Sequence, residues 1–124
     1  MKIEDIEPNE NVSEIVVRVI SKAPARIIRT RGGRKTQLTE ALVGDESGTI
    51  ILTLWGFGEG SDIMTGNILR ITDGWAKEWK GKPQLSLGRS GEMEVVEDDG
   101  QVPEVSELMN RMDQSGSQEK AESE

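Results

Sequence analysis

Trp55, Phe57, Trp75 and Trp79 are the only aromatic residues of this chain, and all fall within one 25-residue window. An indole offers a broad flat face, and what it does depends on which way it points. Turned inward it fills a core; turned outward beside cations it is a platform for other flat rings. Parity separates the two for Trp55. In Thr49–Trp55, residues Ile50, Leu52 and Leu54 alternate with Thr49, Ile51, Thr53 and Trp55, so a strand that buries the first set turns Trp55 outward with the threonines. Trp75, Lys77 and Trp79 alternate with Ala76, Glu78 and Lys80, which sets aromatic, cation, aromatic along one side of an extended segment. A buried face would not interleave a lysine there. Continuing the phase of Leu69 and Ile71 would carry Trp75 inward, so an outward Trp75 requires a shift, expected as a bulge at Gly74.

The cations are clustered as well. Net charge is −8, but residues 1–90 hold 13 Lys/Arg against 12 Asp/Glu, whereas residues 91–124 hold 2 against 11. The acidity therefore belongs to the C-terminal part. No acid falls between Glu14 and Glu40, a window that carries Arg18, Lys22, Arg26, Arg29, Arg31, Arg34 and Lys35; Lys77, Lys80 and Lys82 form a second group. Exposed rings beside cations suit unpaired nucleobases: stacking contributes about 1–3 kcal/mol per base with little dependence on sequence, while Lys and Arg neutralise phosphates. The candidate site is Trp55, Trp75 and Trp79 for the bases, with Arg26, Arg31, Arg34, Lys35, Lys77 and Lys80 along the phosphates.

Other chemistry is excluded or weak. With no Cys and no His, disulfides, Cys/His zinc sites and imidazole-based catalysis are ruled out. Gly56–Gly60 lacks phosphate-loop spacing, and Asp45-Glu46 sits in a turn sequence, Gly44 to Gly48. No catalytic residue, cofactor or metal is expected. No apolar run reaches the ~18 residues of a membrane span, the N-terminus is acidic rather than basic then apolar, and the chain has no Cys, so an intracellular location is expected.

The elements that must position these residues are short strands. Residues 1–13 form a lead-in. Glu14–Thr30 is β-branched and basic, interrupted at Ala23-Pro24-Ala25; Arg31-Gly32-Gly33-Arg34 is a hairpin turn. Strands follow at 36–44, 49–55, 67–72, 75–79 and 84–87, with a last edge pairing at Val95-Val96. Turn signals every eight to twelve residues mean all-β, and about 90 residues with a long bent first strand favour a five-stranded Greek-key OB-fold barrel over 14–96. In that fold the loop joining strands one and two and the loop joining strands four and five flank one groove. The Arg-rich hairpin takes the first position and Trp79–Lys82 the second. From Glu97 to Glu124 the composition predicts a disordered acidic tail, with one helix at 103–112, where Val105, Leu108, Met109 and Met112 recur at helical spacing. That helix either docks on its own barrel or recruits a protein partner. The tail, at −9 from residue 91 onward, is also able to fold back and compete for the basic groove at low salt.

Residues 12–90 resemble the archaeal single-OB-fold single-stranded DNA-binding proteins and, more distantly, the small metazoan ones. The resemblance is carried by VRV at 17–19, EALVGDESGTIILTLWG at 40–56, the strand Gly66–Ile71, and Trp75-x-x-x-Trp79-Lys80-Gly81. It implies that Trp55, Trp75 and Trp79 stack on bases and that Arg26, Thr30 and Lys35 of the first hairpin contact the strand. The metazoan members have a further aromatic where this chain has Ser86. The C-terminus matches neither the Gly/Arg-rich nor the aromatic-tipped tails of such proteins, so no tail function is carried over. The expectation that the resemblance implies is a monomeric, non-catalytic, cytoplasmic and nucleoid-associated binder of single-stranded DNA in replication and repair. An RNA-binding OB module and a protein-interaction OB subunit fit the same elements: comparing dT with rU oligomers tests the first, and shielding of the tryptophans from a soluble quencher the second.

Overall fold

A computed structural model describes residues 1–88 and 90–112. Five strands close on themselves: β1 (Glu10–Lys22), β3 (Lys35–Asp45), β4 (Gly48–Trp55), β6 (Lys82–Ser86) and β5 (Ile68–Trp79) follow one another in that order, and β5 pairs back onto β1. Every pairing is antiparallel except β4 with β6. This is the five-stranded OB barrel the turn spacing predicts. Two strands extend it: β2 (Arg26–Arg29) pairs with β3, and β7 (Glu92–Val96) with β5. The split between β1 and β2 falls at Ala23-Pro24-Ala25, where proline has no N–H to give a ladder. β2 and β3 then run beyond the barrel as a free hairpin arm.

The interior is aliphatic. Val17, Val19, Leu52, Leu69, Ile71 and Leu85 are fully buried, each worth about 1.5–3 kcal/mol relative to exposure. The lead-in contributes too. A 3-10 turn at Ile3–Asp5 delivers Ile3 and Ile6 to the core, so the domain starts ahead of residue 14.

The expected bulge at Gly74 is replaced by a different device. Along β5, Leu69 and Ile71 are buried, Asp73 is exposed at φ +58°, and Gly74 and Ala76 are buried. β1 changes phase at the same place, burying Ile15 and then Val12. The register is continuous through it, Glu14 opposite Thr72 and Val12 opposite Gly74. No residue is inserted, as a bulge would require; both strands switch faces together. Gly74 is needed for closeness, since a Cβ there would lie 3.0 Å from the Ser86 carbonyl oxygen.

The acidic C-terminal part is ordered further than its composition suggests. A helix, α1, is described over 105–112, starting two residues later than predicted, and buries Leu108; Val102 is buried ahead of it. The helix docks on its own barrel. The physical reason is Arg18, only 4% exposed, which donates to the carbonyls of Gly66, Val102 and Pro103 and pairs with Asp98 at 3.0 Å. Glu94 and Glu107 pair with Arg70 and Arg111. Two acids of the C-terminal part, Glu94 and Asp98, are therefore partnered by barrel cations, and Glu107 pairs within its own helix. Residues 113–124 of the predicted flexible tail lie outside the described residues.

Candidate nucleic-acid interface

Adjacent cross-strand residues share a face of a sheet, so the register places the outward side chains. Thr53 of β4 is opposite Ser86 of β6, and Ser86 opposite Trp75 of β5. Trp55 is opposite Leu38 of β3, and Leu38 opposite Arg26 of β2. One continuous outer face thus carries Arg26, Leu38, Trp55, Thr53, Ser86 and Trp75. Trp55, Trp75 and Trp79 are 44%, 40% and 56% exposed, too open for core residues and partly supported from below. Trp55 and Trp75 form the sides of a groove of about 520 Å³ that Thr53, Ser86, Lys77 and Gly88 also line. The floor hydroxyls are committed: Ser86 donates to the Trp75 carbonyl at 3.1 Å and Thr53 to the Leu85 carbonyl at 3.3 Å.

Two cations sit on the rings. Lys77 Nζ is 5.2 Å from the centroid of Trp55, and Lys80 Nζ is 4.6 Å from that of Trp79, both within the ~6 Å range of cation–π attraction. Lys80 reaches there through its turn. Trp79 pairs with Lys82, leaving Lys80-Gly81 as a two-residue hairpin with φ +52° and +80°, the double left-handed geometry of a type I′ turn. Glycine accepts this readily; Lys80 adopts a conformation that few non-glycine residues take.

The hairpin arm brings some predicted residues to this face and turns others away. Arg26 belongs to it but is engaged by Glu40 at 3.0 Å. Thr30, Arg31 and Arg34 are at the exposed tip, where the Thr30 N–H donates to the Arg34 carbonyl. Lys35 pairs with Arg29 and so occupies the opposite face of the arm. Of the seven cations in the acid-free window, Arg18 is buried in the C-terminal clasp and Lys22 donates to the Gly60 carbonyl. Residues on this face that the sequence did not single out as site members are Thr53, Ser86 and Ile28. Thr53 was legible from its parity with Trp55. Ile28, half-buried opposite Thr36 on the tryptophan side of the arm, carried no distinguishing signal; Phe57, the fourth aromatic, is 65% exposed after the end of β4. Among the described residues no three His, Cys, Asp or Glu side chains gather as a metal site, and no helix is long and apolar enough to cross a membrane.

The family model "Single-stranded DNA binding protein Ssb-like, OB fold" matches residues 6–95. The chain is also 37% identical over 107 residues, 86% of its length and 70% of the relative's, to the single-stranded DNA binding protein Ssb of Saccharolobus solfataricus. The chain belongs to the Ssb-like OB-fold family. Ssb-like proteins are DNA-binding proteins, not enzymes. Among solved structures, the second OB-fold domain of replication protein A from Methanococcus maripaludis superposes with a TM-score of 0.65 at 24% identity, covering 78% of this Ssb-like chain and 94% of that one. A replication protein A heterotrimer bound to single-stranded DNA gives a TM-score of 0.69 at 22% identity, over 84% of this chain and 26% of that one. At these identities the likeness is one of fold.

Proposed function

We propose that this Ssb-like protein coats single-stranded DNA without regard to sequence, stacking bases on Trp55, Trp75 and Trp79 while Lys77, Lys80, Arg31 and Arg34 follow the phosphates, and that it serves strands exposed in replication and repair. The observation that supports this reading is that all three indoles stand outward on one face, two of them under an ammonium group. Three platforms could contribute roughly 3–9 kcal/mol before ordering costs. A base stacking where Lys77 rests on Trp55 displaces the ammonium, which gives up an exposed cation–π contact of about 0.5–1 kcal/mol and becomes available to the adjoining phosphate. The groove-floor hydroxyls of Thr53 and Ser86 give their protons to backbone carbonyls and so face a base only as acceptors, in keeping with sequence tolerance. The exposure of the rings in the free protein argues against a protein-interaction module whose tryptophans are sealed.

Titrating intrinsic tryptophan fluorescence with oligo-dT, oligo-rU and a matched duplex tests the reading. Strong quenching by dT, none by duplex, and an affinity that falls with salt by roughly 0.7 log units per phosphate engaged are expected. Equal response to duplex overturns it. The rU arm ranks RNA against DNA.

A further inference from the structure

The hairpin arm has a second face that the groove does not use. Arg29 and Lys35 are directly opposed across the β2–β3 ladder, and Ile27 is opposed to Gln37 on the same side. Arg26, Ile28, Thr36 and Leu38 occupy the other side, with Trp55. Directly opposed like charges destabilise a pair of strands, with Cβ atoms only about 4.5–5.5 Å apart. Here nothing relieves the repulsion: among the described residues neither Arg29 nor Lys35 makes an ion pair, and residues 15–39 contain no acid. Beside them Ile27 is 57% exposed. Charged edge strands resist aggregation, but that purpose is served by Arg26 and Arg29 alone and does not call for an opposed cation or an open isoleucine. The tip that joins the two faces carries Arg31 and Arg34, so cations continue from the tryptophan groove around the arm.

Resting on the function proposed above, we infer that the Arg29–Lys35–Ile27 face is a second binding track for single-stranded nucleic acid. A strand longer than the groove wraps the hairpin tip past Arg31 and Arg34. Its phosphates then sit between Arg29 and Lys35, with a sugar or base edge against Ile27. Bound phosphate removes the like-charge repulsion, which makes an anion the fitting occupant. A polyanionic chain already held in the adjacent groove arrives there at high local concentration.

The test compares dT oligomers of about 4 and about 16 nucleotides, the ends of the range one OB fold occupies, on the full chain and its Arg29→Gln/Lys35→Gln variant. The variant relieves a repulsion, so it folds at least as stably, which urea denaturation verifies. The short oligomer is expected to bind both proteins within about twofold. The long one is expected to bind the variant about tenfold more weakly, with a salt slope shallower by roughly 1.4, two phosphates at about 0.7 each. An Ile27→Ser variant should likewise weaken the long oligomer only. Equal loss on both lengths, or none on either, overturns the second track while leaving the groove intact. Failure of the native protein to bind the short oligomer would instead overturn the groove. Poly-glutamate binding as tightly as long dT, and lost in the double variant, would reassign the face to an acidic peptide.

Discussion

β3 and β4 run the height of the barrel, and their two ends treat charge in opposite ways. At the end that carries Leu38 and Trp55, Arg29, Arg31, Arg34, Lys35, Lys77 and Lys80 make no ion pair among the described residues, and three indoles lie open. At the end that carries Asp45 and Gly48, partners are found for nearly everything. Asp45, 2% exposed, accepts from the Ile3 and Ser47 N–H groups and the Ser47 hydroxyl. Lys2 pairs with Glu46, and Arg111 donates to the Glu46 carbonyl. The Glu46 carboxyl is held below its usual range first by the Lys2 hydrogen bond, and the Lys2 ammonium is raised in turn by Glu46. Arg18, opposite Gly44, closes the C-terminal segment onto that end. Cations left without partners have their pairing free energy available to a ligand; partnered ones have already contributed theirs to the fold.

The largest effect should come from the partnered end. Arg18→Ala strands the buried Val102 carbonyl and the half-buried carbonyls of Gly66 and Pro103; a buried acceptor left unmade costs about 1–3 kcal/mol, and less where water reaches it. A net loss of about 2–4 kcal/mol in urea denaturation is expected, with dT affinity unchanged. A matching loss of affinity would show that the two ends are not independent.

Trp75→Ala probes the other end. The residue is 40% exposed, so the buried part of the ring should cost about 1–3 kcal/mol of stability on truncation, and binding loses one stacking platform, about 1–3 kcal/mol. Titration with dT under matched salt measures it, and Trp55→Ala should behave alike. A loss of stability with dT affinity unchanged would make the indole a core residue, and the comparison between the ends would fail.

How far these features could be read in advance follows from the range of the interactions. Outward Trp55 and the Trp75, Lys77, Trp79 alternation were legible because side-chain direction along a strand is local. The Pro24 break and the Gly32-Gly33 turn were legible for the same reason. The face switch at Asp73 was foreseen only in its consequence: it needs β1 to switch opposite it, and one strand's sequence does not show its partner's phase. Lys35 was placed with the groove because a basic run shows charge and not register; pairing with Arg29 puts it on the far side. Arg18 looked like one cation among seven. Its partners are Asp98, Val102 and Pro103, some 80 residues away, and composition alone assigned those to a flexible tail.

Arg26 offers a finer test, being the cation of the groove end that pairs with a carboxylate among the described residues. Its pair with Glu40 is largely exposed, the Arg26 side chain at 63% and the Glu40 side chain at 34%, and such pairs are worth about 0.2–1 kcal/mol. Glu40→Gln should therefore leave stability nearly unchanged and tighten dT binding about twofold at low salt, by releasing the guanidinium and removing a carboxylate beside the phosphate path. Weaker binding would mean that Glu40 positions Arg26 rather than competing for it.

The smallest effect is a pH dependence confined to the partnered end. The Asp98 carboxyl is held below its usual range, first by the Gly100 N–H and then by Arg18. A carboxyl whose folded pKa is depressed contributes stability that is present above its unfolded value, about 3.9, and lost as pH falls through the lower folded value. The group is open to solvent, so the contribution is small and best read by difference. Asp98→Asn should lower stability slightly at pH 7, and the gap to the native chain should close as pH drops below about 3.9. Oligo-dT affinity between pH 5 and 8 should match the native chain throughout, because the groove end contains no part of this clasp. A gap that stays constant down to low pH would mean that the Asp98 side chain acts by its hydrogen-bond shape, which asparagine alters, and not by its charge.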